Sequence, residues 1–67
     1  MTNEQIRRIN TEINHLEEKL EAANKSLTRS KEIAAEDTDW NYWVEKDQML
    51  VDYLNGNISK LKAMLVE

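Results

Sequence analysis

The chain has 67 residues, no cysteine, no proline, a single glycine and a net charge of −4, which limits it to one small domain. Disulfides and thiolate metal sites are excluded, and the one histidine, His15, cannot build a metal centre without several well-placed carboxylates. The acidic balance lacks the basic face of a general nucleic-acid binder, so direct nucleic-acid binding is disfavoured.

A domain this short buries little apolar surface and usually needs reinforcement. With disulfides and metal set aside, oligomerisation is the remaining route. Charged residues make up 33% of the chain and most residue types are good helix formers. The turn punctuation that sheets require is almost absent. The expected fold class is all-α: an antiparallel two-helix hairpin, coiled-coil-like, assembling into a four-helix bundle or a larger helical homo-oligomer. One domain is expected over residues 1–67, with helix 1 at about 3–34, a bend at about 35–38 and helix 2 at about 39–66.

The first residues, MTNEQIRR, have no apolar core, so no signal peptide is expected, and no apolar run approaches membrane length. A soluble, cytoplasmic protein is the expectation, or one of a host-cell cytoplasm if the source is viral. Thr2 followed by Gln5 fits a capping box. From there Ile6, Ile9, Ile13, Leu16, Leu20, Ala23, Leu27, Ser30 and Ala34 recur at alternating steps of three and four. That spacing makes one narrow heptad seam.

Asp37, Thr38 and Asp39 are each good N-caps for a second helix. Its seam reads Trp40, Val44, Asp47, Val51, Leu54, Ile58, Leu61 and Leu65. Gly56 offers a break, but Leu54 and Ile58 keep phase across it, so one continuous helix is the expectation, at about 1 kcal/mol relative to alanine. Run antiparallel, the seams match: Ile9 faces Leu65, Ile13 faces Leu61, Leu16 faces Ile58, Leu20 faces Leu54, Ala23 faces Val51 and Ser30 faces Val44. Towards the bend the first helix offers small residues and the second offers Trp40 and Trp43. Large against small is how close packing is reached, so both tryptophans are expected to fill that end. A parallel coiled coil through helix 1 alone is disfavoured, because it sets Glu12 of one chain near Glu17 of the next.

Helix 2 is broader in its apolar face than helix 1. Beside its seam lie Tyr42, Met49, Leu50, Tyr53 and Met64, more than a two-helix hairpin can cover. Contiguous exposed apolar surface usually marks an interaction site. These five residues are the expected oligomer interface, making the chain a homodimer or higher assembly of itself.

Asp47 falls mid-seam, where a carboxylate must be paired or partly wet. Arg29 and Lys31 lie at about its level on the first helix. Either Asp47 fixes register, or it contacts a ligand in a pocket with Trp40 and Trp43. Aromatics stack bases, and Arg29, Lys31 and Lys46 could neutralise a phosphate, though no glycine-rich loop supports them. The candidate contact set is therefore Trp40, Trp43, Asp47, Lys46, Arg29 and Lys31. Residues 32–52 hold seven acids against one base, Lys46, a patch suited to a basic partner.

No serine, cysteine or histidine arrangement points to nucleophilic catalysis, and the carboxylates fall on exposed faces with no cleft to tune them. No catalytic residues, cofactor or metal are expected. His15 reads as plain surface. The length, acidity and lack of a catalytic set are reminiscent of small virus- or phage-encoded accessory proteins, a likeness of size that assigns no residue. The expected function is a small acidic helical interaction protein that binds and modulates another macromolecule, an unidentified protein partner, as a homo-oligomer. The alternative is a sequestering protein for a small nucleotide-like ligand, with sites between subunits near the tryptophans.

Overall fold

The computed structural model describes residues 1–66. Two long helices, α1 (Asn3–Ala34) and α2 (Asn41–Leu65), are joined through a short 3-10 turn at Thr38–Trp40. They fold back on each other as a helical hairpin. The molecule measures 51 × 16 × 12 Å, and its long dimension matches α1 alone, since 32 residues rise about 48 Å in an α-helix.

Local chemistry starts α1 as the sequence requires. The Thr2 hydroxyl accepts from the Gln5 amide at 3.2 Å, and Gln5 Oε1 accepts from the Thr2 amide at 2.9 Å. Two of the amides that a helix start leaves unpaired are thereby satisfied. Glu4 then pairs with Arg7 and Arg8 on the exposed first turns, contacts of little energetic weight in water.

The chain reverses without a glycine. The Ala35 amide bonds to the Lys31 carbonyl, and the Glu36 and Asp37 amides both bond to the Ile33 carbonyl. These bonds close the last turn of α1. Asp37 is the extended residue, at φ −132° and ψ 100°, and its carboxylate accepts from the Asp39 amide at 3.1 Å. One extended aspartate breaks the helix and caps the next turn, so no residue of the bend needs a positive φ, and none of the described residues has one. The sequence predicts α2 from about residue 39, whereas residues 38–40 form a tighter turn first. The reason is local, because the Trp40 amide donates to the Asp37 carbonyl three residues back, which is 3-10 bonding.

The core is a single row of side chains between the helices. Ile13, Leu16, Ala23 and Leu27 of α1 and Val51, Leu54 and Ile58 of α2 are buried, with Ile9, Leu20, Val44, Leu61 and Leu65 packed at its edges. Every one of these lies on a predicted seam. The surface grooves report the pairing: Leu16 shares one with Leu54 and Leu61, Ala23 one with Leu50 and Leu54, and Ile9 one with Met64. Leu54 and Leu61 bracket Ile58, and Leu50 and Leu54 bracket Val51, the expected partners of Leu16 and Ala23, while Met64 adjoins Leu65, the expected partner of Ile9. The ends of the α1 seam contribute less, since Ile6 is exposed and Ala34 only half-buried. Among the described residues no side chain is completely enclosed, as expected for two helices with no third element across them.

Helix α2 runs unbroken through Gly56, whose backbone is helical and whose missing Cβ would meet nothing within 4 Å. Among the described residues no helix is long and apolar enough to cross a membrane.

Candidate functional site

The candidate contact residues gather at the bend end of the hairpin, where the seam changes from aliphatic to polar and aromatic. Asp47 is half-buried on α2. Its Oδ2 accepts from the Ser30 hydroxyl at 2.6 Å and from the Ser26 hydroxyl at 3.3 Å. Ser30 is itself buried, the only buried polar residue described. The carboxylate is thus held by two neutral donors and not by the cations expected at its level. Arg29 and Lys31 are exposed, and none of the ion pairs among the described residues includes them. The geometry of the helix explains the difference. Ser26 and Ser30 are four apart and project from one face of α1 onto Asp47, whereas Arg29 and Lys31 lie to either side of that line.

Ser26 is the participant that charge-based reasoning overlooks. The available signal was two short hydroxyl residues at i, i+4 on the stripe facing a seam carboxylate. A carboxylate accepts well from hydroxyls, and short serines reach it with little loss of side-chain entropy.

The aromatic pair divides its labour. Trp40 is half-buried against the hairpin, and its indole Nε1 is buried without a hydrogen-bond partner. Trp43 does not fill the small end of α1 as expected, for it is 49% exposed. Three residues place it about 60° away from Trp40 around the helix, off the seam and onto the flank. Its ring lies 6.1 Å from Trp40 at a tilt of 42° and meets Tyr42 edge-to-face at 5.2 Å. The Lys46 ammonium sits 5.3 Å over the Tyr42 ring. Trp40, Trp43, Tyr42 and Lys46 therefore form one connected aromatic and cationic cluster at the start of α2. Arg29 and Lys31 stand on the other helix, and among the described residues no hydrogen bond, ion pair or cation–π contact joins them to this cluster.

The flank continues along α2. Tyr42, Met49, Leu50, Tyr53 and Met64 are 56, 69, 47, 66 and 46% exposed respectively. Around the bend Glu36, Asp37 and Asp39 are exposed, and so is Glu32 on the last turn of α1. No group of three histidine, aspartate or glutamate side chains among the described residues is placed to hold a metal ion. The grooves on the hairpin surface are open, and four of them are lined by residues other than Trp40, Trp43 and Asp47. Comparison with protein-family models, with curated proteins and with solved structures finds no match.

Proposed function

We propose that this chain is an acidic helical interaction protein. It self-assembles through the outer flank of α2 and offers the carboxylates of its bend to a basic macromolecular partner, whose activity it modulates by occupying it. One observation carries the reading. Six large apolar side chains, Tyr42, Trp43, Met49, Leu50, Tyr53 and Met64, lie on one side of α2 and are 46–69% exposed. Apolar surface concentrated in this way favours burial against another protein. The hairpin alone has a one-row core, so an assembly would supply the stability that two helices lack. The bend supplies the second half of the reading, with Glu32, Glu36, Asp37 and Asp39 all exposed within one short segment.

Sedimentation velocity tests the assembly. The wild type should sediment as a dimer or larger at tens of micromolar, and Met49→Glu with Tyr53→Glu should reduce it to a monomer. A wild type that is monomeric at that concentration would overturn the reading. Native mass spectrometry of protein purified from its host would then report any retained partner.

A second reading has its own observation. Trp43 is half exposed beside a tryptophan whose indole N–H has no acceptor, with Lys46 one turn away. A planar anionic ligand such as a nucleotide could stack on this cluster. It would raise the melting temperature in proportion to the logarithm of its concentration.

A further inference from the structure

We infer that the partner seated on the flank of α2 is the α2 of a second copy, running antiparallel and crossing at Gly56. The inference rests on the self-assembly proposed above and adds the partner's identity, direction and register. Its starting point is that Gly56 has no reason to be glycine within one chain. It sits in the middle of a continuous helix, its φ is not positive, and a Cβ there would meet nothing within 4 Å. Glycine weakens a helix interior, and what it offers in return is close approach by another backbone or ring.

Gly56 lies on an exposed heptad stripe. Tyr42, Lys46, Met49, Tyr53, Gly56, Lys60 and Ala63 recur at alternating steps of four and three, and all are exposed. The stripe is complementary to itself when reversed. Aligning Tyr53 with Gly56 of a second copy puts each tyrosine over the other chain's glycine. The same alignment sets Met49 along the stem of Lys60 and Lys46 against Ala63. Tyr53 and Met49 then each face a small or flexible residue, the condition for close packing. A two-fold axis between the chains repeats each contact, as an isologous interface requires.

The flanking positions agree with that register. On one side Trp43 faces Met64 and Leu50 faces Asn57, which covers the apolar flank. On the other, Asp52 faces Ser59 and Glu45 faces Val66, so no like charges oppose one another. A parallel pairing fails on the same residues. It would set Lys46 against Lys46, Lys60 against Lys60 and Tyr53 against Tyr53, and would leave a gap where two glycines meet. Like charges and mismatched sizes disfavour it. In the antiparallel dimer the two acidic bends stand at opposite ends of the assembly, each free to take a partner.

Cysteine crosslinking tests direction and register in the full chain, which has no native thiol. Lys46→Cys and Ala63→Cys change exposed positions. The two variants are unfolded together, refolded and treated with a short bismaleimide. The antiparallel register predicts a covalent dimer containing one of each variant and little crosslinking of either alone, because residues 46 of the two copies would stand about 25 Å apart. Efficient crosslinking of each variant to itself would overturn the inference in favour of parallel pairing. A wild-type dimer with no 46–63 crosslink would overturn the register and leave self-assembly standing, while a monomeric wild type would overturn both. Gly56→Leu gives an independent measurement. The open space at Gly56 lets the hairpin keep its helicity, and the dimer dissociation constant should rise at least tenfold. An unchanged dissociation constant would show that nothing packs closely there.

Discussion

Asp47 on α2 accepts a 2.6 Å hydrogen bond from the hydroxyl of Ser30 on α1, at the level where the apolar seam gives way to the bend. Ser30 is buried and Asp47 half-buried, so each makes the other tolerable. The pair also disfavours sliding of one helix past the other, because a shift would set the carboxylate against apolar residues of the α1 seam such as Ala23 or Ala34.

Removing one partner should therefore cost more than removing both. Ser30→Ala leaves the carboxylate with only the longer Ser26 bond, and a loss of about 1–3 kcal/mol is expected. Asp47→Leu alone should cost less, because a helical serine can turn its hydroxyl back to the carbonyl four residues earlier. The double variant, Ser30→Ala with Asp47→Leu, replaces the polar pair by apolar packing and should be at least as stable as the wild type. Urea midpoints at constant m-value measure all three. A double variant less stable than Ser30→Ala would mean that the clasp is worth more than the packing that replaces it.

Much of this architecture was legible because a two-helix fold has few competing solutions. Alternating steps of three and four from Ile6 to Ala34 admit only one buried stripe, and α1 runs Asn3–Ala34 behind its Thr2 cap, where its capping residues and seam require. The α2 seam was equally readable from Val51 to Leu65, where its members are aliphatic and each has an aliphatic partner across the pair. Towards the bend the residue pattern is less decisive. Asp47 on a seam says that it needs a donor, but charge suggests Arg29 or Lys31 and geometry selects Ser26 and Ser30. Trp43 is large and apolar, which argues for burial, yet its angle around α2 carries it past the edge of a partner helix only one side chain wide. Heptad position, more than hydrophobicity, decided where that ring lies.

Truncations along α2 should separate what holds one hairpin from what joins two. Leu54 is 5% exposed in the core row, and Leu54→Ala should cost about 2–5 kcal/mol, a large share of the stability of a domain this small. That loss should be the same at every protein concentration at which the assembly state is constant. Met49 is 69% exposed on the flank, and Met49→Ala removes nothing from the core row. Its effect on the melting temperature should depend on protein concentration, growing where the wild type is assembled and vanishing on dilution. Calorimetry over a hundredfold range of concentration makes the comparison. A Met49→Ala penalty that persists on dilution would place this side chain in the hairpin's own stability.

The two tryptophans provide the last separation, because they report from opposite sides of the same boundary. Trp40 packs against the hairpin, while Trp43 is 49% exposed and rests on Trp40 and Tyr42. Trp40→Ala should lower stability by about 3 kcal/mol, towards the low end for an aromatic truncation because the ring is only half-buried. Trp40→Phe should retain most of that stability, since it keeps an aromatic ring and removes an indole N–H that has no acceptor. It also leaves Trp43 as the sole indole, whose emission can be followed alone. In a dissociated hairpin that emission should be red-shifted, as for a ring half in water. If a second α2 covers the flank, it should shift to the blue as concentration rises, with the same midpoint as the change in mass. If a planar ligand stacks there instead, emission should be quenched on titration and the mass should stay constant. Emission from Trp43 that responds to neither concentration nor ligand would mean that the flank stays uncovered, and both readings of this surface would fail together.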